Sequence, residues 1–319
     1  MKAVVIKEFG GPENLTWTEV EAPQPAAGEV VVDVAAAALN RADIMQRWGL
    51  YPLPPGASPY PGLEVSGRIS AVGEGVTGWQ VGQEVCALLT GGGYAQQVAV
   101  PAGQLLTVPE GVSLTDAAAL PEATATVWSN LVLAAGLKAG ETLLVHGGGG
   151  GIGTMAIQIA KALGARVVTT VGGPEKAALA KRLGADETID YRTQDFADHG
   201  PYDVILDVIG GKYLDRNIRS LAPDGRLVVI GLQDGLEAPL NLAELVFKRL
   251  SVIGTTLRTR SKAQKAEIVA AVQQHVWPMI ESGAVKLVVD RTLPMSQAAE
   301  GHRLMEAGGH SGKIILVDD

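Results

Sequence analysis

The chain has 319 residues, which at roughly 150 residues per domain predicts two domains. Hydrophobic residues make up 47% of it and charged residues 19%, a balance typical of a globular protein that excludes a disordered chain. The net charge of −8, with no long run of Lys or Arg, argues against nucleic acid as a partner. Cys86 is the single cysteine, which excludes an internal disulfide and a multi-cysteine metal cluster within one chain.

Neither the start of the sequence nor its alanine-rich stretch has the pattern of a signal peptide or a membrane-spanning helix. The apolar run that follows Lys2 is too short for the core of a signal peptide. The alanine-rich stretch 117–137 is interrupted by Pro121, Glu122 and Asn130, which argues against a membrane span. A single cysteine fits a reducing compartment. We therefore expect a soluble cytoplasmic protein without a membrane partner.

The first part of the chain, to about Pro109, has the texture of an all-β domain. Short β-type runs at 29–34, 65–72 and 96–100 are separated by turns rich in Pro and Gly. Residues 50–62 contain five prolines, which exclude a helix or a central strand and predict an extended surface loop. Such a loop is suited to wall a cleft between two domains.

After Leu120 the pattern changes to helices that alternate with strands. The predicted strands are 142–145, 165–171, 204–208 and 226–230, and the predicted helices 151–163 and 175–183 each stop at a glycine. This alternation predicts a parallel sheet with right-handed crossovers, the doubly wound α/β Rossmann class. A long helix at 262–280, a strand at 287–289, a short helix at 297–306 and a strand at 314–317 follow.

The most informative segment is the glycine loop, which we define as Gly147–Gly153. It follows a predicted strand and opens a predicted helix, and Gly148, Gly150 and Gly153 satisfy G-x-G-x-x-G, the dinucleotide fingerprint. Glycines let the backbone approach a pyrophosphate, and the amides of a helix start, here Gly151 and Ile152, favour that anion. Five consecutive glycines leave the register open between Gly150 and Gly151 as the middle position. A flexible glycine linker or a tight strand-to-helix turn without a ligand is the alternative interpretation.

The end of the second strand bears on the choice of cofactor. NAD-preferring sites usually place an acidic side chain there, about 20 residues past the glycines. This chain has Gly172 and Gly173, with Lys176 one turn into the next helix, which favours NADPH. Tyr191 and the arginine after it, near the end of the following strand, add a stacking face and a second cation. An ordinary solvated lysine is the alternative for Lys176, and Glu175 would serve NAD if the strand ends later.

Several motifs resemble the medium-chain dehydrogenase/reductase superfamily, and within it the zinc-independent quinone oxidoreductases of the zeta-crystallin type. The resemblance spans nearly the whole chain and implies a GroES-like β domain that the C-terminal tail completes. The domains expected are 1–120 with 286–319, and a Rossmann dinucleotide-binding domain at 121–285. The motifs are Leu39–Asp43, Gly49–Tyr51, Pro61–Gly67, Pro121–Ala123, the glycine loop and Gly312–Ile314.

Zinc-dependent relatives carry a cysteine near position 41–43 and a Gly-His-Glu motif. Here the corresponding residues are Arg41–Asp43 and Gly62-Leu63-Glu64, so the first metal ligands and the four-cysteine lobe are absent and no metal is expected. Without a Lewis acid to hold an alkoxide, oxidation of a simple alcohol is disfavoured, whereas an electron-poor quinone or activated alkene can accept a hydride. Reduction is the expected direction.

The resemblance implies roles for particular residues around the acceptor. Asn40 and Asp43 match positions near the nicotinamide ribose or the acceptor, with an Asx turn and helix N-cap as the alternative. Tyr51 resembles the substrate-pocket tyrosine, which stacks on a quinone. Thr126 matches a threonine beside the nicotinamide, and Arg258 lies in a late cofactor-contacting segment where it would reach a phosphate.

Further cofactor contacts are expected from position in the sheet. Asp207 and the pair Gly231-Leu232 each follow an apolar strand, at the carboxyl edge where doubly wound folds bind ligands.

The sequence therefore favours an NADPH-dependent quinone oxidoreductase that reduces a small-molecule quinone in the cleft between its domains. An NADPH-dependent alkenal or enone reductase and a non-catalytic NADPH-binding protein are the alternatives. The apolar run Leu250–Thr255 predicts an exposed edge strand, and by analogy with relatives we expect a homodimer paired through it.

Overall fold

Fifteen strands and ten α-helices form the protein, which a computed structural model describes over residues 1–319. The strands are β1 Lys2–Ile6, β2 Leu15–Glu19, β3 Glu29–Ala38, β4 Glu64–Val72, β5 Glu84–Leu88, β6 Gln97–Pro101, β7 Leu105–Thr107, β8 Thr142–Val145, β9 Arg166–Val171, β10 Glu187–Asp190, β11 Tyr202–Asp207, β12 Leu221–Val229, β13 Ser251–Gly254, β14 Val289–Pro294 and β15 Lys313–Val317. The helices are α1 Arg41–Arg47, α2 Leu114–Ala117, α3 Pro121–Val127, α4 Gly151–Ala162, α5 Pro174–Arg182, α6 Leu214–Ser220, α7 Leu242–Phe247, α8 Lys262–His275, α9 Trp277–Glu281 and α10 Ala298–Ala307.

Contacts between residues divide the chain into two compact units. Unit 1 comprises Met1–Ala125, Leu257–Glu281 and Leu287–Asp319, and unit 2 comprises Thr126–Thr256 and Ser282–Lys286. Each unit contains one large sheet.

Unit 2 is built on a six-stranded sheet in the order β10-β9-β8-β11-β12-β13, in which every neighbouring pair is parallel. Its central strands are apolar along their length because helices cover both faces of such a sheet. Leu143, Leu144 and Val145 of β8 are all fully buried. The strand order reverses between β8 and β11, which makes their carboxyl ends the topological switch point. The predicted α/β Rossmann class is confirmed for this unit.

Unit 1 is β-rich, as predicted. Its seven-stranded sheet runs β14-β15-β3-β4-β5-β7, with β6 also paired to β3 and a separate β1-β2 hairpin. All these pairs are antiparallel except β14 with β15. The C-terminal strand β15 lies between β14 and β3, so the end of the chain completes the sheet that the N-terminal part begins. The GroES-like domain expected from the resemblance is confirmed.

Two elements near the C-terminus differ from their predictions. The helix expected over 262–280 is two helices, α8 and α9, because Pro278 has no backbone N–H to continue the hydrogen-bond ladder. The strand expected at 287–289 begins only at Val289 and continues to Pro294. Its middle residues Asp290, Arg291 and Thr292 are polar, because β14 lies at the edge of the sheet, and this polarity hid it from the apolar pattern.

The segment Leu257–Glu281 belongs by its contacts to unit 1, whereas the sequence-based boundaries place it in 121–285. The reason is local packing. A methyl group on Gly103 would lie 2.9 Å from Cβ of Ala266 on α8, and Trp277 donates from Nε1 to the carbonyl of Thr107 over 2.7 Å. The sequence-based boundaries remain a prediction about where the chain separates into folding domains.

The edge of the unit 2 sheet carries exposed apolar side chains. Val252 of β13 is 41% exposed, and the nearby helix α7 exposes Leu242, Val246 and Phe247. The predicted run at 250–255 is thus an edge strand, and pairing of two chains through it stays a prediction. No helix has the length and apolar character needed to cross a membrane.

We expect Leu316→Ala in β15 to lower the free energy of unfolding by about 2–5 kcal/mol, because Leu316 is fully buried in the core of unit 1 and its loss leaves a cavity. Urea denaturation followed by circular dichroism measures this. The matched control is Leu50→Ala, since Leu50 is 65% exposed and we expect a change within about 0.5 kcal/mol. Equal losses in the two variants would contradict the placement of β15.

Candidate functional site

The glycine loop connects β8 to α4 in unit 2, and its glycines are set by close backbone approaches. A Cβ on Gly153 would lie 2.2 Å from the carbonyl oxygen of Gly147, and one on Gly148 would lie 2.2 Å from Oγ1 of Thr169. Gly147 has a φ of +77°, which favours glycine. Gly148 and Gly153 are therefore required by packing alone.

The middle of the loop has more room. Gly150 is the N-cap of α4, Gly151 is its first residue, and a Cβ on Gly150 would meet nothing closer than 3.7 Å. The helix supplies no acceptors for the amides of Gly151, Ile152 and Gly153 in its first turn. These amides and the positive end of the helix dipole suit a phosphate group.

The end of β9 brings cations close to the glycine loop. Gly173 is the N-cap of α5 with a φ of +105°, and a Cβ on Gly149 would lie 2.7 Å from Cδ of Lys176. The Arg192 guanidinium donates to the carbonyl of Gly172, and a Cβ on Gly172 would lie 2.8 Å from the Tyr191 hydroxyl oxygen. The structure thus brings Lys176 to the glycine loop, and Tyr191 with Arg192 to Gly172.

A buried polar network lies at the switch point between β8 and β11. Asn217 donates from Nδ2 to Asp207 over 3.2 Å and presents Oδ1 to Nε2 of His146, 2.8 Å away. Nε2 therefore carries the imidazole proton, and Nδ1 accepts from the Thr170 hydroxyl at 3.2 Å. Burial lowers the pKa of His146 to about 4 and, despite donors from Ile209 and neighbouring groups, raises the pKa of Asp207 to about 6.

Sequence reasoning assigned Asp207 to the cofactor and saw no role for His146. The structure makes both parts of one network that joins the ends of three neighbouring strands. A histidine directly after a buried strand and before a glycine loop was the available signal. His146 thus holds the carboxyl ends of these strands together without adding a positive charge there at neutral pH.

The remaining predicted cofactor residues of unit 2 take different positions. Gly231 follows β12 where a Cβ would lie 2.8 Å from the carbonyl oxygen of Val208, and the next residue, Leu232, is 43% exposed. Gly231 therefore lies against the loop that follows β11. Thr126 is buried on α3, and its carbonyl accepts from Nδ2 of Asn130 over 2.8 Å.

In unit 1, Asn40 and Asp43 form a capping box at the start of α1. One Asp43 carboxyl oxygen accepts from the Asn40 amide at 2.8 Å and from the Tyr94 hydroxyl at 3.0 Å, and the other accepts from the Gly62 amide at 2.9 Å. Burial raises the pKa of Asp43 to about 6. The structure therefore shows the N-cap arrangement that was the alternative for these two residues.

A buried ion pair adjoins this capping box, and sequence reasoning missed it. Lys313 lies 2.5 Å from Oε1 of Glu64 and donates to Oδ1 of Asn40 over 2.6 Å, while Nδ2 of Asn40 donates to Glu64 over 3.0 Å. The second Glu64 oxygen accepts from the Glu122 amide. Lys313 begins the apolar strand β15, and a lysine at the start of a buried strand was the available signal.

Tyr51 and Arg258 lie together in unit 1. The Arg258 guanidinium lies 4.8 Å from the centre of the Tyr51 ring, and it donates to Oε1 of Gln46 over 2.6 Å and to the carbonyl of Thr90 over 2.8 Å. Arg258 is buried and held by protein acceptors, so the structure gives it other partners than the cofactor phosphate that the sequence suggested. Gln46 was also missed.

The residues present do not fit a zinc site. No three His, Cys, Asp or Glu side chains lie together in a way that could hold a metal ion. Glu64, the one acidic residue of the Gly-Leu-Glu motif, is instead paired with Lys313.

Known proteins match this chain over nearly its full length. Residues 26–110 match the family described as alcohol dehydrogenase GroES-like domain, and residues 151–273 match zinc-binding dehydrogenase. The chain is 32% identical to quinone oxidoreductase of Rattus norvegicus, covering 99% of this chain and 98% of that protein. It is 32% identical to 2-haloacrylate reductase of a Burkholderia species, with 99% and 98% covered.

Two further matches differ in how much of the other protein they cover. The chain is 33% identical to a phenolphthiocerol/phthiocerol polyketide synthase of Mycobacterium tuberculosis, but spans only 14% of that protein's length against 98% of its own. The crystal structure of Escherichia coli quinone oxidoreductase complexed with NADPH has a TM-score of 0.90 at 29% identity, covering 99% of this chain and 100% of the other.

A parallel sheet with a glycine loop at its first crossover, together with a GroES-like unit, defines a dinucleotide-dependent oxidoreductase. The full-length matches then show that the chain belongs to the medium-chain dehydrogenase/reductase superfamily, and within it to the quinone oxidoreductase type. The superfamily is NAD(P)-dependent.

The crowding around the glycine loop makes a prediction about stability. Gly153→Ala should lower the free energy of unfolding by about 1–3 kcal/mol, because its Cβ would lie 2.2 Å from a backbone oxygen that cannot move freely. Gly150→Ala should change it by less than about 0.5 kcal/mol, because it has room. Thermal unfolding of both variants measures the difference. A Gly150 variant as unstable as the Gly153 variant would contradict the difference in packing between these two glycines.

Proposed function

We propose that this protein is an NADPH-dependent reductase that transfers a hydride to a quinone, with no step assigned to a metal. Its similarity to quinone oxidoreductases over the full chain supports the reaction class. The crystal structures of two similar proteins contain NADPH. When bound, the nicotinamide supplies the hydride.

The observation that carries the cofactor assignment is the end of β9. Gly172 and Gly173 carry no acidic side chain there, the Arg192 guanidinium packs against both glycines, and Lys176 adds a second cation beside the glycine loop. The nearest carboxylate to Arg192 in an ion pair is Asp190, at 4.0 Å in an exposed setting, where such pairs contribute little. This charge suits the 2′-phosphate of NADPH better than the free ribose hydroxyl of NADH.

The chain's own residues would bind and orient the cofactor. The first-turn amides of α4, at Gly151–Gly153, would hold the pyrophosphate. The Tyr191 ring, 49% exposed, would pack on the adenosine end. Asp207 and His146 hold the strand ends in place through their buried network, which is a positioning role.

Unit 1 would supply the acceptor contacts. Tyr51 would stack on the flat acceptor, while Asn40 and Asp43 hold the start of α1 through the capping box and so position the side chains of that helix. The proton that completes reduction would come from solvent or a nearby hydroxyl.

A second candidate is an NADPH-dependent reductase of activated alkenes, such as alkenals or enones. The similarity to 2-haloacrylate reductase, at 32% identity over 99% of the chain, favours this candidate. The similarity to rat quinone oxidoreductase has the same identity and coverage of the chain. Both reactions deliver a hydride to an electron-poor carbon, so the two candidates differ only in the acceptor.

We expect Lys176→Glu to weaken NADPH binding at least tenfold, because it replaces a cation beside the 2′-phosphate by an anion, while NADH binding changes less than threefold. Fluorescence titration of the two nucleotides measures the dissociation constants. Lys181→Glu is the matched control, since Lys181 is an exposed lysine on the same helix. Wild-type protein that binds NADH as tightly as NADPH would contradict the cofactor assignment.

The acceptor is tested by steady-state kinetics with NADPH. We expect kcat/KM for 1,4-naphthoquinone to exceed that for α,β-unsaturated aldehydes by at least tenfold, because a flat quinone matches a stacking tyrosine. A preference for the unsaturated aldehydes would replace the quinone assignment by the alkene reductase. Tight NADPH binding without turnover of either class would favour the non-catalytic alternative.

A further inference from the structure

Four cationic side chains are buried in unit 1, and they fall into two kinds. Arg47 is paired with Glu306, and Lys313 is paired with Glu64. Arg258 and Lys265 are each only 3% exposed and take part in no ion pair. The charge of Asp43 acts on Arg258 from beyond ion-pair distance, because that carboxylate is bonded to other groups. A buried cation outside an ion pair carries a desolvation cost that pairing would offset, so these two residues are the exception within their own unit.

The two unpaired cations lie on either side of one residue. Arg258 donates from Nε to the carbonyl oxygen of Thr90 over 2.8 Å, and Lys265 donates from Nζ to the hydroxyl of the same threonine over 2.5 Å. Burial, and to a lesser extent the charge of Arg258, lowers the pKa of Lys265 to about 8. Two positive charges are thus held near each other by neutral partners.

Both cations keep hydrogen-bond donors that no protein group accepts. A guanidinium has five N–H donors and an ammonium has three. Arg258 uses three of its own, toward Thr90, Gln46 and the carbonyl of Tyr51, and Lys265 uses one. Two donors therefore remain on each group. A fork of guanidinium donors beside an ammonium is the arrangement that binds a carboxylate or phosphate oxyanion.

The surroundings hold this pair in a fixed geometry. The Tyr51 ring lies over the Arg258 guanidinium, and Gln46, which accepts from Arg258, donates in turn to the carbonyl of Pro59 over 3.2 Å. The pair is therefore attached to α1 and to the proline-rich loop that carries Tyr51. Under the proposed function, Tyr51 is the residue that stacks on the acceptor.

We propose that Arg258 and Lys265 form an oxyanion-binding site for a carboxylate carried by the acceptor. This rests on the proposed function for the identity of the reaction and adds the charge of the substrate. The same donors would also bind a phosphate of the dinucleotide. We assign the acceptor because, under the proposed function, Lys176 and Arg192 beside the glycine loop of unit 2 would bind the nucleotide phosphate.

The test compares two quinones that differ only in charge, 1,4-naphthoquinone-6-carboxylate and its methyl ester, under saturating NADPH. For the wild-type protein we expect kcat/KM for the acid to exceed that for the ester at least tenfold. Lys265→Met and Arg258→Gln should each lower this acid-to-ester ratio at least tenfold. Lys262→Met is the control, because Lys262 is a 73% exposed lysine on the same helix. Its acid-to-ester ratio of kcat/KM should stay within twofold of the wild-type ratio.

A binding measurement keeps this test independent of turnover. The non-reducible analogue 2-naphthoate should raise the Tm of the wild-type and Lys262→Met proteins but not that of Lys265→Met, or of Lys265→Gln where the Met variant fails to fold. Turnover of neither acceptor, with this shift intact, would overturn the proposed reaction but not the anion site. Absence of the shift, equal losses for acid and ester, or a variant that weakens NADPH binding instead would each overturn the carboxylate site.

Discussion

The close approach of α4 to the end of β8 governs the geometry of the nucleotide-binding unit. At Gly153 the helix passes so near the carbonyl of Gly147 that no side chain fits, and at Gly148 the chain lies against Thr169. This approach directs the first-turn amides of α4 outward at the carboxyl edge of the sheet, where a doubly wound fold binds its ligand. The alkyl chain of Lys176 packs against Gly149, where no side chain intervenes, and this contact places the lysine beside the glycine loop.

Buried polar groups in the two units are handled in different ways. In unit 2 the switch point is held by a neutral imidazole, an amide and a carboxyl whose pKa is raised by burial, so the edge next to the glycine loop gains no positive charge from His146. In unit 1 the Glu64–Lys313 pair and the Asp43 capping box satisfy their members with short internal contacts. Breaking such a pair would leave one uncompensated buried charge, which makes it a strict structural requirement.

Arg258 and Lys265 stand apart because protein acceptors take up only some of their hydrogen-bond donors and neither is in an ion pair. A site that binds a substrate by charge must hold that charge ready before the substrate arrives, and the cost of keeping it desolvated is recovered when the anion binds. Thr90, Gln46 and Tyr51 hold the two cations without neutralising them, which is the property that such a site needs. The acceptor side of the proposed reaction is thereby linked to the substrate's charge as well as to its flat shape.

Local patterns along the chain were enough to predict those parts of the protein that depend on neighbouring residues. Continuous apolar runs specified the parallel strands of unit 2, and the glycine loop and the missing acid after β9 predicted the nucleotide site, because backbone approach and local charge follow from residues close in sequence. Only the folded chain reveals that Arg258 donates to Gln46, that Lys313 pairs with Glu64, and that α8 packs in unit 1. Gln46 and Arg258, for example, lie 212 residues apart along the chain. Contacts between side chains so distant leave no periodicity in the sequence, because only the folded backbone brings them within reach.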